Sequence, residues 1–121
     1  MELQAKVSGS VLICTVTGEL DHHTAEEFKT FVDYNLQNNP VKHLILDLSH
    51  LSFMDSSGIG AVIGRYKRVS SAGGRVVVAN ESKQVSRVFK VSGIYEIISS
   101  CGSIRQALNK LQKRHDTFLK E

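Results

Sequence analysis

The chain has no tryptophan, a single proline (Pro40) and only two cysteines, Cys14 and Cys101, in 121 residues. Two cysteines do not make a disulfide scaffold, so the domain has to stand on an apolar core, which a chain of this length can bury. Cys14, inside an apolar run, reads as a small packing residue, and Cys101 reads as part of a Gly/Ser-rich loop. With one proline there is no Pro-rich linker, and no repeat or low-complexity segment interrupts the chain. No apolar run approaches the about 20 residues that cross a membrane. The opening MELQAK lacks the apolar stretch of a secretory leader. The expectation is a single cytoplasmic domain over residues 1–121, with its core at about 3–113 and no membrane contact. Metal-ligand spacing is also missing. His22 and Glu26 share a helical face and His23 lies beside them, but no second ligand pair follows. No metal or cofactor is expected.

Hydrophobic residues make up 41% and charged residues 22%, the composition of a globular chain. Charge is unevenly spread. Residues 1–60 hold three Lys/Arg against eight Asp/Glu, and residues 61–121 hold twelve against four. Such asymmetry can mark nucleic-acid binding. Here the basic residues spread over several helical stretches without interleaved aromatics, so they read as solvated helix faces, and no direct nucleic-acid contact is expected.

Leu3, Ala5 and Val7 alternate with polar residues, as an edge strand does, and Ser8-Gly9-Ser10 turns the chain into a second strand, Val11–Thr17, apolar on both faces. GELDHHTAEEFKTFVDYNLQ opens a helix with Ala25, Phe28, Phe31, Val32 and Leu36 inward. Thr24 with Glu27 fits a capping box, and Asp21 competes as the cap. HLILDL is a short buried strand. A helix after LSFMDSSG runs to about Ser71 with a stripe of Ile59, Val62, Ile63 and Tyr66, closed by Gly73-Gly74. RVVVA is a fourth strand. A helix from about Ser82 to Val91 turns Val85, Val88 and Phe89 inward, and Gly93 stops it. Tyr95–Ile98 reads as a last strand, and Ser103 with Gln106 caps a final helix carrying Ile104, Ala107, Leu108 and Leu111. This alternation predicts an α/β fold: a mostly parallel sheet of four to five strands, an antiparallel N-terminal edge strand, and four covering helices. Loops after parallel strands gather at one sheet edge, which would bring Asp21, Ser56 and Asn80 to one surface.

The segment LSFMDSSGIG raises the functional question. As a phosphate loop it has GxGxxxG spacing instead of GxGxxG, lacks GK[ST], and carries Asp55, which would repel a pyrophosphate. A small nucleotide- or phosphate-binding protein is therefore the alternative reading. As a hydrolase it lacks G-x-S-x-G and any oxyanion-hole motif, although His22 and His23 could lie nearby. Helix capping by Ser56 or Asp55 is expected but leaves the glycines unexplained, since each interior glycine costs up to about 1 kcal/mol against alanine. Gly60 and Gly64 flank the buried stripe near Ser57, leaving a smooth strip that another backbone can approach. A docking surface beside a modifiable hydroxyl accounts for both features. The chain carries no HRD, DFG or Walker A motif and would be a substrate of modification, not a catalyst.

GELDHHTAEEF, LSFMDSSGIG and the following GRYK resemble the anti-sigma factor antagonists of the STAS family, nearest to those acting in sporulation. The similarity runs from about Val11 to Leu111. It implies that the unphosphorylated chain binds an anti-sigma factor that is also a serine kinase, together with that kinase's bound nucleotide, and so frees a sigma factor. It implies that Ser56 is phosphorylated, that a serine phosphatase restores it, and that Asp21 contacts the kinase. The expected contact surface is Asp21, His22, Asp55, Ser56, Ser57, Gly58, Gly60 and Gly64, on a domain that is monomeric when free. The tail KRHDTFLKE lies outside the resemblance.

Overall fold

The computed structural model describes residues 1–120, with side chains through residue 112. Residue 121 of the expected domain, and the side chains of the tail after Gln112, lie outside the described residues. Strand β1, Glu2–Ser8, turns through Gly9 at φ 59° into β2, Val11–Leu20, and pairs with it antiparallel. β3 (His43–Met54), β4 (Val76–Ala79) and β5 (Ser99–Cys101) then add in parallel, in the spatial order β1-β2-β3-β4-β5. The helices are α1, Ala25–Asn38; α2, Ser56–Ser71; α3, Lys83–Ser92; and α4, Ile104–Lys120. The predicted α/β architecture, with its mostly parallel sheet, antiparallel edge and four helices, is the one observed.

The sheet alternates side chains between two cores. Leu12, Cys14, Val16, Leu44, Leu46 and Val78 face the larger one, where Phe28, Val62 and Phe89 arrive from α1, α2 and α3. Val11, Ile13, Ile45 and Val77 face the smaller one, covered by Ala107, Ile104 and Leu108 of α4. Three helices therefore lie on one face and one on the other. Burial pushes the Cys14 thiol up to about 12, so it packs as an apolar group.

Five local expectations are corrected. Tyr95–Ile98 is not a strand: Ile94–Glu96 is a 3₁₀ turn, and Ile94 and Ile98, four residues apart, are both buried. The fifth strand is Ser99–Cys101, which includes the cysteine assigned to a loop. β3 does not end at Leu48 but runs to Met54. Thr24 makes no capping bond to α1; its hydroxyl donates to the Glu19 carbonyl at 2.8 Å, while Asp21 Oδ1 accepts from the His23 and Thr24 N–H groups at 2.8 and 3.1 Å. Neither candidate caps α1 through its side chain: the Asp21 carboxylate closes the turn that leads into the helix. The buried stripe of α2 is also turned slightly, to Gly58, Ile59, Ala61, Val62 and Val69, with Ile63 and Tyr66 half-buried.

His43 at the start of β3 accepts the Arg75 N–H on Nδ1 at 3.0 Å. Burial, then the nearby charges of Lys42 and Arg75, hold its pKa below the ordinary 6.5. A depressed histidine pKa adds stability that is present above pH 6.5 and lost as pH falls through the lower folded value. Urea unfolding followed from pH 7 downward should show this loss, and His43→Asn, which keeps an acceptor but does not titrate, should remove that part of the slope.

Candidate functional site

β2 and β3 run side by side until Leu20 pairs with Met54, so the segments that follow leave the sheet together. One is the Asp21–Thr24 turn into α1, and the other is the Asp55–Ser56 start of α2. The Asp55 carboxylate ties them. Its Oδ1 accepts from Ser57 N–H at 2.9 Å and Gly58 N–H at 3.2 Å, satisfying donors that a helix start leaves open. Its Oδ2 accepts from the His22 N–H at 3.2 Å, across 33 residues of sequence. The Asp55 N–H in turn donates to the Leu20 carbonyl at 3.4 Å.

Ser56 is the first helical residue and is exposed. Among the described residues its hydroxyl is in no hydrogen bond, so the oxygen is open to a visiting group. Ser57 is half-buried and serves through its backbone N–H. Gly60 is exposed and Gly64 half-exposed, and a Cβ built on either meets nothing within 4 Å. These two make the open strip. Gly58 does not belong to it: the residue is buried, with the Leu20 carbonyl 2.6 Å from where a Cβ would stand. Its place is under the site, where it lets α2 press against the strand ends. His22 and His23 are exposed, their rings edge to face at 5.4 Å. Burial works to raise the Asp21 pKa, but the His23 and Thr24 N–H groups and the Thr24 hydroxyl outweigh it and hold the carboxyl below its usual 3.8. The Asp21 carboxyl and the Asp55 side chain thus stand on the two segments that flank Ser56.

Asn80 is not part of it. Its neighbour Ala79 pairs with Asp47, seven residues before Met54. Two of those seven are extra residues against β2, which covers the same span in the five steps from Thr15 to Leu20, so at about 3.3 Å per residue Ala79 stops roughly 17 Å short of the Ser56 end. Sequence pattern also missed the Asp55–His22 tie, which follows only once β2 and β3 are known to finish level.

Asp55→Ala should cost about 1–2 kcal/mol in urea unfolding by removing the cap. Asp55→Asn keeps one acceptor, so it should retain most of that stability while the amide resonance of His22 moves as its tie is lost.

The sequence matches the STAS domain over residues 2–111. The chain belongs to the STAS family. An anti-sigma F factor antagonist of Paenibacillus polymyxa is 34% identical over 112 residues, covering 93% of this STAS chain and 96% of its own length. The solved structure of the anti-sigma factor antagonist SpoIIAA in its unphosphorylated form superposes with a TM-score of 0.79 at 29% identity, covering 93% of this chain and 97% of that one. The Bacillus cell fate determinant SpoIIAA in the phosphorylated form gives 0.69 at 29% identity, covering 90% and 98%. This STAS domain is therefore SpoIIAA-like in sequence and in fold. Among its described residues no helix is long and apolar enough to cross a membrane.

Proposed function

We propose that this STAS protein is a cytoplasmic anti-sigma factor antagonist governed by one phosphoryl group. Unphosphorylated, it binds an anti-sigma factor that is a serine kinase and displaces the sigma factor, favouring sporulation transcription. The kinase transfers the γ-phosphoryl of its ATP to Ser56 Oγ: a P–O bond forms to serine, ADP leaves, and the hydroxyl proton passes to solvent. A phosphatase returns the serine by hydrolysis. The observation carrying this reading is the exposed Ser56 hydroxyl at the start of α2, beside the strip left open by Gly60 and Gly64. The names of the relatives support the antagonist role, and the two SpoIIAA structures show that their own protein exists with and without phosphate. The deciding experiment incubates the chain with the candidate kinase and ATP and maps the product by mass spectrometry. Phosphate on Ser56, absent from Ser56→Ala, is the expected result; phosphate elsewhere sinks the proposal.

The strip carries its own prediction. Gly60→Ala and Gly64→Ala meet nothing in this chain and should each stabilise α2 by up to about 1 kcal/mol. Both should nonetheless weaken anti-sigma binding, read by titration calorimetry, because they fill the space a partner backbone needs.

A further inference from the structure

The sheet opens a second time, away from Ser56. β4 and β5 are neighbours and parallel, yet the helices that follow them leave on opposite faces: α3 joins the larger core and α4 the smaller. In an open α/β sheet the crevice at the carboxyl ends of two such strands is where ligands bind. Two adjoining open hollows share Ser86 and Ser100 as lining: one of about 420 Å³ at this position, and one of about 480 Å³ that continues from it back along the edge strand β5, past Ser99 and Ile98. Asn80, held at φ 65°, ends β4 at its rim.

The two hollows differ in chemistry. The first holds the Glu81 carboxylate, and the second is flanked by Lys90 and Lys110. Between them, Glu81 Oε2 accepts from the Tyr95 hydroxyl at 2.6 Å and from the Ser100 hydroxyl at 2.5 Å. Each hydroxyl has one hydrogen, and both are committed to the carboxylate. The Tyr95 oxygen is also 3.0 Å from Ser86 Oγ, so with its hydrogen on Glu81 one of its lone pairs is taken by the Ser86 hydroxyl; what remains for the groove is its other lone pair and those of Ser100. Burial, then the bond to Glu81, pushes the Tyr95 phenol up to about 12, so it stays a neutral donor to the carboxylate. The middle of the groove is thus rich in acceptors and suits ligand hydroxyls, while the lysines suit an anion. A ligand wholly anionic would meet Glu81, and one wholly cationic would meet the lysines.

We infer that this crevice binds a small phosphorylated polyol, its hydroxyls donating to Glu81 and to the Tyr95 and Ser100 oxygens, its phosphate held between Lys90 and Lys110. The site is independent of Ser56 and of the proposed antagonist role.

The test titrates the ¹⁵N-labelled full chain with glucose 6-phosphate, glucose and inorganic phosphate in separate NMR series. Glucose 6-phosphate should saturate with a Kd of roughly 1 mM or tighter, shifting the amides of Lys90 and of Ser99 to Gly102, while glucose and phosphate each bind at least about tenfold more weakly. Lys90→Ala with Lys110→Ala replaces two exposed side chains and should keep the parent spectrum while losing glucose 6-phosphate about tenfold. Glu81→Gln should narrow the gap between glucose 6-phosphate and phosphate. The inference is overturned if phosphate alone binds as well as glucose 6-phosphate, if nothing saturates, or if the shifts centre on Asp55 and Ser56.

Discussion

Phosphorylated on Ser56, the protein is expected to bind its anti-sigma partner roughly 10²–10⁴-fold more weakly than the unmodified form, with little change in melting temperature. The two halves have separate causes. A phosphoserine carries a charge of about −1.5 to −2 and would stand beside Asp55 and near Asp21. A partner laid over the Gly60–Gly64 strip would have to bury that charge without a prepared cation, and an unpaired buried charge costs several kcal/mol, about 3–5 of which give the stated loss. The fold feels the group differently. Ser56 is the first residue of α2, where the helix dipole favours an anion by about 0.3–1 kcal/mol, and repulsion from the Asp55 carboxylate works against that gain. Calorimetric titration of the unmodified, phosphorylated, Ser56→Ala and Ser56→Asp proteins separates the cases. Ser56→Ala should bind like the parent. Ser56→Asp should bind poorly, since it brings part of the charge. Equal affinity for all four removes the switch. A melting temperature that collapses on phosphorylation would mean that it acts by unfolding the domain.

The parts of this site that were legible in the sequence are those set by local chemistry. The hairpin at Ser8-Gly9-Ser10, the helix stripes and the buried HLILDL and RVVVA runs announce themselves by period and by their stops, and from them the parallel order follows. Once β2 and β3 are neighbours, Asp21 and Asp55 must be close, and Leu20 indeed pairs with Met54. What failed to show was set by pairing over distance. β3 looked finished at Leu48 because its apolar run stops there. Two register shifts give β3 an extra residue each against β2, so its buried positions become Leu48, Leu51 and Met54, three apart, a spacing that reads as no strand at all. With β3 cut short, Asn80 seemed level with Ser56. β5 is Ser-Ser-Cys, without strand propensity, and exists because Val77, Val78 and Ala79 of β4 pair with it. The neighbouring Tyr-Glu-Ile-Ile has the propensity, but burying both Ile94 and Ile98 requires a turn.

At the site itself, a large stability effect is expected of a single methyl group, Gly58→Ala. In an ordinary helix interior this exchange would gain about 1 kcal/mol. Here the added Cβ would lie 2.6 Å from the Leu20 carbonyl oxygen, 2.8 Å from Met54 Cγ and 3.1 Å from Leu20 Cγ. The carbonyl has little freedom to retreat, because it belongs to the last paired residue of β2 and accepts the Asp55 N–H. Relief therefore has to come from α2 lifting off the strand ends. Forced overpacking of this kind costs about 1–3 kcal/mol and outweighs the propensity gain. A loss of about 2 kcal/mol should lower the melting temperature by roughly 10 °C in a domain of this size. Gly60→Ala, two residues along the same helix with open space around it, should move the other way. The contrast ties stability to function. The contact that forbids a methyl group at Gly58 also seats the first turn of α2, and with it Ser56, against the Asp21–Thr24 turn. If calorimetry finds Gly58→Ala as stable as the parent, α2 is not seated there. The shared surface of Asp21, Asp55 and Ser56 then loses the contact that holds it together, whatever Ser56 proves to carry.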